Sequence, residues 1–428
     1  MKILKSSLYH GIELILLYQI AFVNFPYLSW YSSFQRIATI LLVIMTLPHI
    51  RIVWNYRRKS LVNLSMLYIV FIVITAIVNR NKMVMTNAFI SGILYAMAIW
   101  AMVLVIYSTV VIKGMDFVLR TYFFITFFYV AATDLFIMLN PDLFGHGYYL
   151  IGNKFSVAYK HLELLMYFLI LQGKEKISVF FRIIALPSAV KSASRLSAQQ
   201  QNRLYPIKSI GNIFKVFLLC FIACLTAIKV QSATGIVGVI VFLILYFLVP
   251  ERVLYNPVFF PSIIVGSAVF VFVIDSVLAW NPISSFITDF LNRDITLTGR
   301  TYIYAAIPKL IKGHLLFGYG YNTAYEVWTN YSWYTPNAQN GLINLIFEQG
   351  VFSAICIILF GIKSFSVVRK SVFYSRFKSM AVLIIVYSII AAVEIDIDFT
   401  FVVFLVIFSA IALLKNEMGD SSYGTICH

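Results

Sequence analysis

A chain of 428 residues in which 61% are apolar and only 12% are charged has no surface suited to bulk water, since a soluble domain carries roughly 25% charged residues. The 33 basic residues exceed the 17 acidic ones, for a net charge of +16, yet they are interleaved with apolar runs and so do not point to nucleic acid. They read instead as topology signals, because Lys and Arg collect on cytoplasmic loops.

The apolar runs recur at about 18 residues or more, the length a helix needs to cross ~30 Å of hydrocarbon. Backbone groups inside lipid must be satisfied internally, which leaves helices or a closed barrel. Stretches 37–47 and 235–248 do not alternate as barrel strands do. The fold class expected is therefore all-α: a polytopic integral membrane protein with about twelve transmembrane helices and one large extracytoplasmic loop.

In chain order, Lys2 and Lys5 precede an apolar stretch at 11–23. No small-x-small cleavage site follows, so this reads as an uncleaved first span and not as a signal peptide. Spans are predicted at 9–25, 37–54, 61–79, 88–112, 117–139, 155–172, 214–230, 234–250, 258–278, 341–362, 380–395 and 399–414. The basic segments 51–59, 173–215 and 363–378 fall on one side if both termini are cytoplasmic, and Arg80 and Lys82 then fall on the wrong side. The whole chain reads as a single transmembrane domain, 1–428, carrying a basic cytoplasmic loop at 173–215 and a large extracytoplasmic loop with short helices at 279–340. Within the first loop, 177–195 mixes apolar and basic residues; it is a solvated connector tethered by anionic lipid, or a surface-lying segment.

Cys220, Cys224 and Cys356 lie in apolar spans and read as packing, and Cys427 follows the last span. The six histidines form no HExxH or other metal spacing, so no metal and no cofactor is expected. The outer loop is rich in aromatics, including Tyr319, Tyr321, Tyr325, Trp328, Tyr331, Trp333 and Tyr334. These argue against disorder and fit either an interfacial belt or stacking on sugar rings.

The same loop contains Thr298-Gly299-Arg300-Thr301, then Pro308, Lys309, Lys312, Gly313 and His314, then Phe317-Gly318-Tyr319-Gly320. It closes with Gln339-Asn340-Gly341, and Phe347-Glu348-Gln349-Gly350 follows in the next span. This order resembles the signature of the O-antigen ligase and polymerase family, bacterial enzymes that join lipid-linked glycans outside the membrane. Two positions depart from the family pattern. Gln339 stands where His commonly precedes the Asn, and the turn Lys229-Val230-Gln231-Ser232 lacks the Arg of ligases. The missing His leans the resemblance toward a polymerase.

The resemblance implies polymerisation of undecaprenyl-pyrophosphate-linked repeat units into O-antigen, capsule or exopolysaccharide at the outer face of the bacterial plasma membrane. Its partners would be the lipid-linked glycan donor and acceptor and membrane lipid, with a chain-length regulator protein as an optional further one and no nucleic acid. A glycan ligase of the same family and a lipid-linked oligosaccharide flippase are the alternatives. Departure of the pyrophosphate calls for fixed positive charge where negative charge develops, and arginine grips phosphate oxygens in two places. Arg300 is the first candidate, with Lys229, Arg293, Lys309 and Lys312 as substrate-binding cations. Gln339 and Asn340 are candidates for sugar hydroxyls.

A proton must also leave the attacking hydroxyl. The run Glu394-Ile395-Asp396-Ile397-Asp398 reads as a solvated turn, as a base for the acceptor sugar or as a divalent-ion site; Asp398 is the catalytic candidate and Asp396 a substrate contact. Glu348 is the third catalytic candidate, its family position implying an orienting hydrogen bond. Lys154, Lys160, His161 and Glu163 cluster near another outer span end and read as a structural ion pair.

Overall fold

The structure is a computed structural model, and it describes residues 2–25, 27–55, 59–83, 85–140, 147–172, 208–278, 280–285, 288–289, 300–331, 337–371, 373–394 and 397–414. Seventeen helices among them serve the description. The first seven are α1 (Lys2–Phe22), α2 (Tyr31–Thr46), α3 (Ile50–Asn55), α4 (Lys59–Val78), α5 (Ala88–Lys113), α6 (Met115–Leu139) and α7 (Lys154–Gln172). After the segment 173–207 come α8 (Lys208–Lys229), α9 (Ala233–Phe247), α10 (Glu251–Leu254), α11 (Phe259–Leu278) and α12 (Asn281–Ser285). The last five are α13 (Arg300–Ile311), α14 (Ala324–Tyr331), α15 (Gly341–Arg369), α16 (Lys378–Ile390) and α17 (Phe399–Ala410). The strands described are a two-residue antiparallel ladder, Tyr148–Tyr149 on Gly152–Asn153.

Local chemistry sets where the helices start. Asn87, Ser232, Asn340 and Asp398 are N-caps whose side-chain oxygens accept from Ile90, Gly235, Ile343 and Phe401 amides, satisfying donors that the first turn leaves open. Five stretches are long and apolar enough to cross a membrane: Tyr31–Trp54, Leu61–Val78, Ala88–Lys113, Met115–Leu139 and Gly341–Arg369. Shorter apolar helices cover Ser7–Phe22, Ala233–Phe247, Phe259–Ile274 and Phe399–Leu413. Large apolar side chains lie exposed along the outer faces, among them Phe124, Phe127 and Phe128 on α6 and Phe217 and Phe221 on α8. In water such a face is a liability; against lipid it is the expected surface. The protein is an all-α membrane protein.

Helices α16 and α17 are apolar on every side and buried along nearly their whole length. An all-round apolar helix belongs at the centre of a bundle, and these two are packed by α1, α5, α7, α9, α11 and α15.

The bundle has two ends of different character. At one end Arg376 pairs with Asp116, Lys378 Nζ donates to the Val249 carbonyl, and Ser375 donates to Glu251. The basic segment 363–378 gathers there. The other end carries α13, α14 and the hairpin between α16 and α17. Lys82 lies close enough to His314 to act on its charge state, which puts it at the end that carries the large loop. Residues 173–207 of the basic loop lie outside the described residues.

Candidate functional site

The hairpin between α16 and α17 organises the loop end. Its carbonyls at Ala391 and Ala392 accept from the Gly341 amide (2.8 Å), Asn340 Nδ2 (3.2 Å) and Tyr304 Oη (3.1 Å). Tyr304 stands one turn after Arg300 on α13 and also donates to the Gln339 carbonyl at 2.9 Å. With the first turn of α13 fastened to the hairpin, Arg300 Nη2 reaches Glu394 Oε1 at 2.9 Å. The guanidinium is about 20% exposed and Glu394 about 7%. Arg300 Nε is buried without a hydrogen-bond partner among the described residues, so the fork keeps an uncommitted donor. Burial pushes the Glu394 carboxyl up to about 7, with Arg300 and Lys154 pulling against it.

Four residues on, Asp398 lines a polar cavity of about 80 Å³ together with Ser156, Tyr159, Lys160 and Glu163 of α7, Tyr387 of α16, Phe22 and Thr400. Lys160 and Glu163, both buried, form an ion pair at 2.7 Å. Tyr387 donates to Glu163 at 3.2 Å, and the Lys160 ammonium stands 4.3 Å from the Phe22 ring centre. Asp398 lines this cavity, and desolvation among the surrounding helices pushes its carboxyl up to about 6, with Glu163 adding to the rise; the Phe401 and Thr400 amides and Lys160 oppose it. The expected Lys160–Glu163 pair is present. His161 departs from the cluster: its Nε2 meets Asp134 at 3.1 Å, and Thr226 donates to the same carboxylate.

The two glycine motifs turn out to be the two sides of one junction. Gly350 has φ 77° and ψ 170°, a conformation that interrupts α15. The carbonyls of Phe347 and Glu348, freed from helical bonding, accept from the Tyr319 amide at 2.7 Å and the Gly320 amide at 3.0 Å. The Val351 amide donates to the Leu315 carbonyl at 2.9 Å. Backbone meets backbone so closely that a Cβ on Gly350 would stand 2.0 Å from the Leu316 carbonyl oxygen, and one on Gly318 2.5 Å from that of Phe347. Within the same junction the Glu348 carboxylate accepts from the Asn322 and Ala324 amides, at the start of α14. Glu348 thus orients the loop.

Other expected site residues separate from this group. Asn340 is fully buried; its Oδ1 caps α15 and its Nδ2 donates to the Ser267 and Ala392 carbonyls. Its amide is thus engaged by the backbone around the α15 start. Gln339 adopts φ 51° and its Nε2 donates to Asn337 Oδ1 at 2.8 Å, leaving the half-buried side chain beside the Arg300–Tyr304 turn. Lys309 and Lys312 are exposed, Lys309 standing over the Tyr331 ring at 5.6 Å, and Lys229 is exposed at the end of α8. Arg293 and Asp396 lie outside the described residues, as do Trp333 and Tyr334.

The aromatics mostly form the loop's own core. Trp328 is fully buried against Phe347, Tyr319 stacks on His314 at 3.8 Å, and Tyr321 stacks on Tyr95 at 3.9 Å. Among the loop aromatics that are described, Tyr325 at 62% and Tyr331 at 45% are exposed. Sequence reasoning singled out neither Glu394 as the partner of Arg300 nor Lys160, Glu163 and Tyr387 as cavity walls. The signal that was there is the acid run after the penultimate apolar stretch.

A family model described as O-antigen ligase matches residues 217–358. That segment holds Arg300, the Gly318–Gly350 junction and the Asn340 cap, while Glu394, Asp398 and the α7 side of the cavity lie outside it. No curated protein and no solved structure matches the chain. Over residues 217–358, about a third of its length, the chain is thus similar to the O-antigen ligase family.

Proposed function

We propose that this protein polymerises undecaprenyl-pyrophosphate-linked oligosaccharide repeat units at the outer face of the bacterial plasma membrane, as a membrane glycosyltransferase acting by direct displacement. The observation that carries the reading is the Arg300–Glu394 pair, held by the α16–α17 hairpin at the end of the bundle that bears the large loop. In this scheme all twelve apolar stretches cross the membrane and both termini are cytoplasmic.

The acceptor hydroxyl attacks the anomeric carbon of the donor, the bond to pyrophosphate breaks, and the electron pair leaves with the pyrophosphate. Arg300 stabilises that charge through the donors its pairing with Glu394 leaves over. Asp398, ionised in a cavity that holds Lys160 nearby, takes the hydroxyl proton. Lys309, Lys312, Lys229 and Arg293 draw the anionic donor to this face, and Gln339 contacts the sugars.

The test is a glycan ladder from a deletion strain complemented with variants. Arg300→Ala is expected to lower polymer formation roughly a hundred- to thousand-fold, about 3–4 kcal/mol of barrier, at normal membrane abundance. Arg300→Lys is expected to recover part of it, because a point charge cannot reproduce a bidentate fork. A wild-type ladder from Arg300→Ala overturns the assignment. The matched family's description names a ligase, and the deletion strain separates the two: polymerase loss removes every rung above one repeat, whereas ligase loss leaves finished lipid-linked polymer without its final acceptor.

A further inference from the structure

At the end of the bundle away from the Arg300 site lies a side-chain cluster that the proposed transfer does not use. Glu13 on α1 is fully buried, and two imidazoles converge on it from different elements. His10, one turn earlier on α1, places Nδ1 3.0 Å from Glu13 Oε2. His49 comes from the 3-10 turn Leu47–His49 that separates α2 from α3, and its Nε2 lies 2.8 Å from Oε1 and 3.1 Å from Oε2. The two rings stack with centres 5.2 Å apart and planes 25° apart, which sets their nitrogens side by side facing one carboxylate. One ligand atom from each residue lies within 4.8 Å of the other two. Thr109 Oγ1 of α5 stands 3.4 Å from His10 Nδ1, a fourth polar group beside the cluster, and the Tyr9 ring meets both imidazoles edge-on.

We propose that His10, Glu13 and His49 form a structural binding site for a divalent transition-metal ion of the zinc class. Two imidazoles and one carboxylate are a ligand set such ions take, and without a thiolate or an all-oxygen cage it suits neither Cu(I) nor Mg²⁺ or Ca²⁺. Tetrahedral zinc holds its ligands about 3.3 Å apart at ~2.0–2.1 Å from the metal. The observed 2.8–3.1 Å separations therefore open by under about half an ångström on binding. A buried carboxylate could instead simply accept two imidazole N–H groups. What favours the ion is convergence: nitrogens from two separate elements and a hydroxyl from a third share one point where every group is buried. The ion would clamp α1 to the α2–α3 break and to α5. The sequence hides this, since only His10 and Glu13 are neighbours and His49 arrives through the fold.

The full-length protein, purified in detergent, is loaded with Zn²⁺ and freed of excess, and its metal content and melting temperature are measured with and without a chelator. One equivalent of zinc, a chelator-dependent fall in melting temperature, and a Co²⁺ form with d–d absorption of a low-coordinate site are expected. Glu13→Gln and His49→Gln should each weaken zinc binding at least tenfold. If those variants fail to fold, the wild-type Co²⁺ spectrum decides. Absence of retained zinc, equal retention in both variants, or a thiolate-to-cobalt band marking Cys220 and Cys224 overturns the proposal.

Discussion

The two carboxyls of the α16–α17 hairpin set an expectation for pH. Burial raises Asp398 to about 6 and Glu394 to about 7, so each is ionised only above those values. A base at Asp398 stops working as pH falls through about 6, and the ionic hold of Glu394 on Arg300 fades below about 7. Polymerisation in membranes should therefore decline between about pH 7 and pH 6, and Glu394→Gln should move the decline toward the lower value. Asp398→Asn should cost about a hundred- to ten-thousand-fold, the usual worth of a positioned base. A rate unchanged from about pH 8 to about pH 5 would take both carboxyls out of the mechanism. Fold stability runs the opposite way, because a raised carboxyl favours the folded state when protonated: that contribution is complete below the unfolded value near ~4 and is lost as pH rises through about 6–7.

Among the elements, α15 shows what the sequence revealed and what it concealed. Its apolar run is plain in the residue string, because hydropathy is local; the Asn340 cap is not, since Asn340 reads there as a sugar contact. Nor is the break at Gly350, because its cause is the loop backbone arriving from thirty residues earlier at Leu315–Gly320. The glycine motifs were visible as a pattern, and only contact gave them a physical reason. The same holds at the site: Arg300 stands out as the first cation of a helix on the large loop, whereas Glu394 is ninety-four residues away and no periodicity joins them. Gly350→Ala tests the junction. The backbone conformation alone costs roughly 1–3 kcal/mol for a residue with a Cβ, and the 2.0 Å approach to Leu316 forces the loop to move. Protease added outside spheroplasts should cut the loop faster in this variant, with less polymer made at matched protein level. Cleavage at the wild-type rate would mean that the loop docks without the break.

For the whole molecule, the two ends of the bundle translate into sides of the membrane. In a cysteine-free background, Tyr325→Cys, on an exposed residue of α14, should react with an impermeant thiol reagent in intact spheroplasts. A cysteine at Ser197 in the basic segment 173–215 should react only after permeabilisation. Labelling of position 197 in sealed cells would invert the scheme. The burial of α16 and α17 has a consequence for biosynthesis. These two helices touch α1, α5, α7, α9, α11 and α15, all of which leave the ribosome before them. Until they arrive, the earlier helices have an unfilled centre, and Lys160 and Glu163 lack the Tyr387 and Asp398 that share their cavity. A nascent chain stalled before residue 378 is therefore an unfinished ring of helices with a charged lining, a natural client for insertion chaperones and membrane proteases.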